Sequence, residues 1–158
     1  MDIIMTGYAG QKETAMLAQR CRQQLLSRLP EHLVEAAGDM DRDYEPPESC
    51  LPVSRVKITA GGVCAALWIL GEKLCTGLCA DLRRVPVRQE TIEICEILDL
   101  DPYVLRSDGA WLIAVRDAEE ALSQCAWQGL PAAKIGETTP GEARVLSCGD
   151  VTRYLDRM

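Results

Sequence analysis

The sequence predicts one α+β domain, a mixed β-sheet with helices on its faces. Three observations carry this. Short β-type segments are interleaved with segments of helical periodicity along the whole chain. A two-residue Gly149-Asp150 turn joins the last two β segments as a hairpin, so the sheet is not purely parallel. The 158 residues, 47% hydrophobic and 26% charged, are enough for one ordinary domain with a real core.

Taken in order, Ile3-Ile4-Met5 is a short apolar strand followed by the glycine turn Gly7-Tyr8-Ala9-Gly10. From Gln11 to Arg28 the residues Ala15, Leu17, Ala18, Cys21 and Leu25 recur at helical spacing. Pro30 opens a second helix through Ala37, with Gly38 as its stop. Residues 39–52 read as an acidic surface loop containing Pro46-Pro47. Val56 to Thr59 alternates like a strand, and Ala60-Gly61-Gly62 turns it into a helix from Val63 to Leu74. That helix is apolar nearly all round and therefore buried; Gly77 is its stop. Leu78 to Leu82 is a strand, and Pro86 leads a helix through Leu98. The unbroken apolar run Ala110 to Val115 predicts a central strand. Asp117 and Glu120 have capping-box spacing for a helix ending before Gly129. Ala132 to Thr138, Arg144 to Cys148 and Val151 to Leu155 complete about seven strands and five helices.

Composition narrows the function. Seventeen Lys plus Arg against 24 Asp plus Glu give a net charge of −7, which argues against nucleic acid and against anionic membrane surfaces. No apolar run is long enough to span a bilayer, and the N-terminus has no signal-peptide pattern. The reading is therefore cytoplasmic, with reduced thiols. The only histidine, His32, sits in a helix's first turn and reads as a surface residue rather than a catalytic base. None of the eight cysteines forms a Cys-x-x-Cys, and Cys75 and Cys79 fall on different elements, so no metal site is assigned. Asp39, Asp41 and Asp43 open like a calcium loop. However, Tyr44 stands where that loop needs glycine, and Cys50 where it needs glutamate.

No Walker, dinucleotide or nucleophile-elbow motif occurs. What remains is two glycine turns, each between a strand and a helix. A helix N-terminus presents unpaired N–H groups and partial positive charge, so either turn is a phosphate candidate. Thr59, Gly61 and Gly62, with Lys57 before them, form the stronger one; Gly7 and Gly10 form the weaker. On composition alone, a tight turn packed against its neighbours is the favoured reading, since a lone Gly-Gly is a weak signal. No catalytic residue is assigned.

Several stretches together resemble the C-terminal domain of the AIR synthase (aminoimidazole ribonucleotide synthetase)-related superfamily. Within it they are similar to the branch of the hydrogenase maturation carbamoyl dehydratase. Asp2-Ile3-Ile4-Met5-Thr6 through Ala9-Gly10 and Thr14-Ala15 match the family's opening phrase. Thr59-Ala60-Gly61-Gly62-Val63 and Ala66-Leu67-Trp68 match its glycine-rich stretch. Asp81-Leu82 through Pro86-Val87-Arg88-Gln89-Glu90-Thr91 match a third. The resemblance covers nearly the whole chain. It implies a three-layer α/β/α domain with a mixed, largely antiparallel sheet.

The resemblance also implies what is altered. Family enzymes carry the acidic Mg-ATP residues on a preceding N-terminal domain, and this chain begins where the second domain begins. The family's H-D-x-T-x-G-G phrase reads here Val56-Lys57-Ile58-Thr59-Ala60-Gly61-Gly62. Thr and both glycines are kept, but a lysine replaces an acid and cannot ligate Mg²⁺. The expectation is a degenerate domain, non-catalytic alone, that binds a phosphate-bearing ligand or a partner. The alternative is one subunit of a split ATP-dependent enzyme, with ATP and Mg²⁺ held only together with a partner chain. A homodimer is a third arrangement, since a domain without its usual neighbour must cover that surface.

Overall fold

The structure is a computed structural model that describes residues 1–157. Its elements are β1 (Asp2–Thr6), α1 (Gln11–Arg20), α2 (Arg22–Leu26), α3 (Glu31–Gly38), β2 (Ser54–Lys57), α4 (Gly62–Leu74), β3 (Gly77–Asp81), α5 (Gln89–Leu98), β4 (Trp111–Val115), α6 (Ala118–Trp127), β5 (Ala132–Thr139), β6 (Arg144–Cys148) and β7 (Val151–Tyr154). Short 3-10 turns cover Glu48–Cys50 and Leu82–Arg84. The strands form one sheet in the order β2-β4-β1-β5-β3-β6-β7. Only β3 and β6 run parallel; every other neighbouring pair is antiparallel. This is the mixed, largely antiparallel α+β sheet, flanked by helices, that the sequence predicts.

Strand alternation builds the layers. Successive side chains leave opposite faces of a strand. Ile3 and Met5 of β1, with Leu112 and Ala114 of β4, pack with Val63, Leu67 and Leu70 of α4. Ile4, Ile113 and Val115 point the other way, onto Ala118, Ala121 and Cys125 of α6. Each fully buried leucine or isoleucine contributes about 1.5–3 kcal/mol. A third cluster, Leu17, Ala18, Leu25, Val34, Ala37 and Ile94, binds α1, α2, α3 and α5 to one another.

Several expectations are corrected in detail. The helix from Gln11 kinks at Cys21 (φ −107°, ψ 25°), which splits it into α1 and α2. No glycine or proline marks the kink; tertiary packing of Leu25 against the α3 cluster accompanies it. Pro30 is the extended residue before α3, and Gly38 is the helix's last residue rather than its stop. Cys75, at φ 53°, ends α4; Gly77 already belongs to β3. It is a glycine because a Cβ there would collide with the Ala143 carbonyl. Pro86 to Arg88 lie outside the helix and Arg88 is extended, so α5 starts at Gln89. Strand β4 is interior but second from the β2 edge, not central. Its unbroken apolar run comes from helix cover on both faces rather than from parallel neighbours.

The Gly149-Asp150 hairpin is present, pairing Cys148 with Val151. Asp117 caps α6 by accepting the Glu120 amide at 3.2 Å. Within residues 39–52 the acids Asp39, Asp41, Asp43, Glu45 and Glu48 are exposed, while Met40, Pro46 and Cys50 are buried. Among the described residues no helix is long and apolar enough to cross a membrane.

Candidate functional site

Both glycine turns converge on one segment, Asp101 to Ala110. The first turn uses all its amides internally. Gly7 donates to Pro131 O (3.0 Å), Ala9 to Pro86 O (2.8 Å) and Gln11 to Tyr8 O (3.4 Å). Tyr8 donates to Gln11 Oε1 (3.0 Å) and Gly10 to Ser107 Oγ (2.7 Å). Gln11 is fully buried and donates from Nε2 to the carbonyls of Arg42 (2.6 Å) and Asp108 (3.0 Å). Gly7 and Gly10, at φ 79° and 70°, therefore make the turn and its packing, and leave no free amide for an anion.

The second turn leads into α4. Gly61 and Gly62 hold φ 84° and 66°. A Cβ on Gly62 would lie 2.6 Å from the carbonyl oxygens of both Tyr103 and Leu105, so that glycine admits the 101–110 segment. The Gly62 amide donates to Thr59 O (3.1 Å) and the Cys64 amide to Tyr103 O (3.2 Å). Two of the groups at this helix start are thus already satisfied by protein.

Lys57 and Thr59 face outward. Val56 packs toward α4, so Arg55 and Lys57 leave the opposite face of β2, where Trp111 lies across the ladder from Lys57. Lys57, Thr59, Trp111, Asp43, Arg42 and Asp108 line an open cleft of about 430 Å³. Gly61 and Gly62 are not part of its lining. The Lys57 ammonium sits 5.4 Å from the centroid of the Trp111 ring, and the Arg55 guanidinium 4.9 Å. Cations at this range are held by the ring's negative face.

The cleft's acids are engaged. Asp41 pairs with Lys12 (2.6 Å) and Asp108 with Arg106 (2.8 Å), while Asp43 accepts the Trp111 indole N–H (3.1 Å). Arg42 and Lys57 enter no ion pair among the described residues. The cleft therefore offers, among the described residues, two cations without an ion pair and one hydroxyl, while the buried Trp111 ring is engaged by Lys57 and Arg55. That is chemistry for an anionic ligand. Asp41, Asp43 and Asp108 each already face a protein cation or N–H and are not gathered into an oxygen set of the kind Mg²⁺ needs. Among the described residues, no group of three or more His, Cys, Asp or Glu could hold a metal ion.

Trp111, Asp43 and Ser107 are absent from the sequence-derived site. Trp111 is hidden in an apolar run, Ser107 lies in a loop with no local signal, and Asp43 enters the sequence reading only through the rejected calcium-loop pattern. Their only marker is a long-range partner.

The family model of the AIR synthase related protein, C-terminal domain, matches residues 56–149. The chain belongs to this family. Carbamoyl dehydratase HypE of Rhodobacter capsulatus is 30% identical over 128 residues, covering 81% of this chain and 37% of that protein. A crystal structure of Escherichia coli HypE, a hydrogenase maturation protein, superposes with a TM-score of 0.74 at 23% identity. It covers 99% of this chain and 49% of that one. The crystal structure of a HypE–HypF complex gives 0.73 at 20% identity, covering 99% and 52%. These structures share the fold. The chain spans about half the length of the HypE structures and 37% of the curated relative.

Proposed function

We propose that this AIR-synthase-related C-terminal domain is a binding domain without catalysis of its own. Its cleft at Lys57 and Thr59 takes a phosphate-bearing ligand. The observation that carries the reading is the unpaired Lys57 ammonium beside the Trp111 ring, at the position where the family phrase has an acid. A lysine there inverts the local charge. It attracts a phosphate as a point charge, and Thr59 adds a hydroxyl. Gly62 supports the site indirectly, by letting the 101–110 segment close over the start of α4.

The test is a titration of the reduced chain with Mg-ATP, with inorganic phosphate as a second ligand, beside an ATP-hydrolysis assay. Saturable binding without turnover is the expected result. Turnover by the chain alone overturns the non-catalytic reading, and failure of both ligands to bind overturns the ligand.

A second reading is a subunit of a split ATP-dependent enzyme, with the ATP-binding half on another chain. The correspondence to about half of HypE and the existence of a HypE–HypF complex favour it. Co-purification from native lysate with an ATP-binding partner supports it, and a chain that elutes alone argues against it.

A further inference from the structure

Two cysteines unused by the cleft stand together where the end of the 39–52 segment packs on α6. Cys50 ends the short Glu48–Cys50 turn, and Cys125 lies in the last turn of α6. Their sulfurs are 3.7 Å apart. Cys50 also lies 3.5 Å from the Ala121 carbonyl, which holds it against α6. Cys125 is fully enclosed, whereas Cys50 lines a surface pocket of about 240 Å³ with Leu51, Val53, Arg116 and Asp117.

We propose that Cys50 and Cys125 are an oxidisable pair, in which a small hydroperoxide entering this pocket drives formation of an intramolecular disulfide. The Cys50 thiolate attacks one peroxide oxygen, the O–O bond breaks, and the departing oxygen takes up a proton. Cys50 becomes a sulfenic acid. Cys125 then gives up its proton and attacks the Cys50 sulfur; the S–O bond breaks and water leaves. In sum, two thiols and one hydrogen peroxide give one disulfide and two waters, the thiols losing two electrons and the peroxide gaining them. An exogenous dithiol reverses the bond by exchange.

The order of attack follows from placement. Cys50 alone of the two meets the pocket. Burial, with the hydrogen bond that the Cys125 thiol gives to Cys50, raises the Cys125 thiol above its ordinary value, which argues against its making the first attack. The bond would fasten the segment that carries Asp41, Arg42 and Asp43, one wall of the Lys57 cleft, to α6.

The experiment treats the reduced full chain with equimolar hydrogen peroxide, then unfolds, alkylates and maps it by mass spectrometry. The expected result is a Cys50–Cys125 linked peptide and the loss of two free thiols per chain. The oxidised chain melts about 5 °C or more above the reduced one. In Cys125→Ser, dimedone traps a sulfenic acid at Cys50. Both cysteines remaining fully alkylatable overturns the proposal. So does sulfinic acid at Cys50 without linkage, or disulfides confined to the exposed Cys75 and Cys148. The wild-type map decides even if the variant does not fold.

Discussion

The Gly10 amide donates a 2.7 Å hydrogen bond to Ser107 Oγ across 97 positions of sequence, and the Ser107 amide donates to the Thr59 carbonyl. One serine thereby ties the first glycine turn to the strand end that carries the cleft. Ser107 is fully buried, so neither bond is exchanged for water without cost. Ser107→Ala strands the Gly10 donor, and a loss of about 1–3 kcal/mol is expected. Urea unfolding measures the loss, and faster hydrogen exchange at Gly10 locates it. An unchanged Gly10 exchange rate would show that the tie is not formed.

Gly62 faces two separate demands, a left-handed backbone and a carbonyl at 2.6 Å where a Cβ would stand. Gly129 has the first demand alone: φ is 68° and nothing lies within 4 Å of its Cβ position. Gly129→Ala therefore costs about 1–2 kcal/mol and Gly62→Ala about 2–5 kcal/mol. Equal losses at the two positions would contradict the close approach of Tyr103 and Leu105.

The acid limb of stability has a named contributor. The Arg83 amide and guanidinium hold the Asp81 carboxyl below its ordinary value. A carboxyl depressed on folding stabilises the fold above its unfolded pKa, and that share disappears as pH falls through the folded value. Stability should fall from about pH 4 downward, more steeply in wild type than in Asp81→Asn. Urea midpoints across that range check the slope; parallel curves would remove Asp81 from the account.

Much of the fold was legible because it rests on local rules. Alternation and turn chemistry found the strands, and Asp117 announced the start of α6. What misled was tertiary. The kink at Cys21 has no local signal, and the apolar run at Trp111–Val115 reflects cover from α4 and α6 rather than a central, parallel place. At the site, Lys57 and Thr59 were visible because the charge of one and the turn of the other are sequence features. Trp111, Asp43 and Ser107 were not, because each acts through a partner 48 to 97 residues away or through a neighbouring strand. The glycines were visible, but their reason was not. Gly62 makes room for backbone, which no local pattern announces.

The proposed function rests on Lys57 supplying the charge that holds a phosphate-bearing ligand. The direct measurement is a calorimetric titration of wild type and Lys57→Ala with Mg-ATP, in matched salt. Lys57 is exposed and enters no ion pair among the described residues, so the substitution removes charge with little effect on folding. The expected result is saturable binding by wild type and an affinity at least about tenfold weaker in the variant, a loss of about 1.4 kcal/mol. Equal affinities in the two proteins would contradict it.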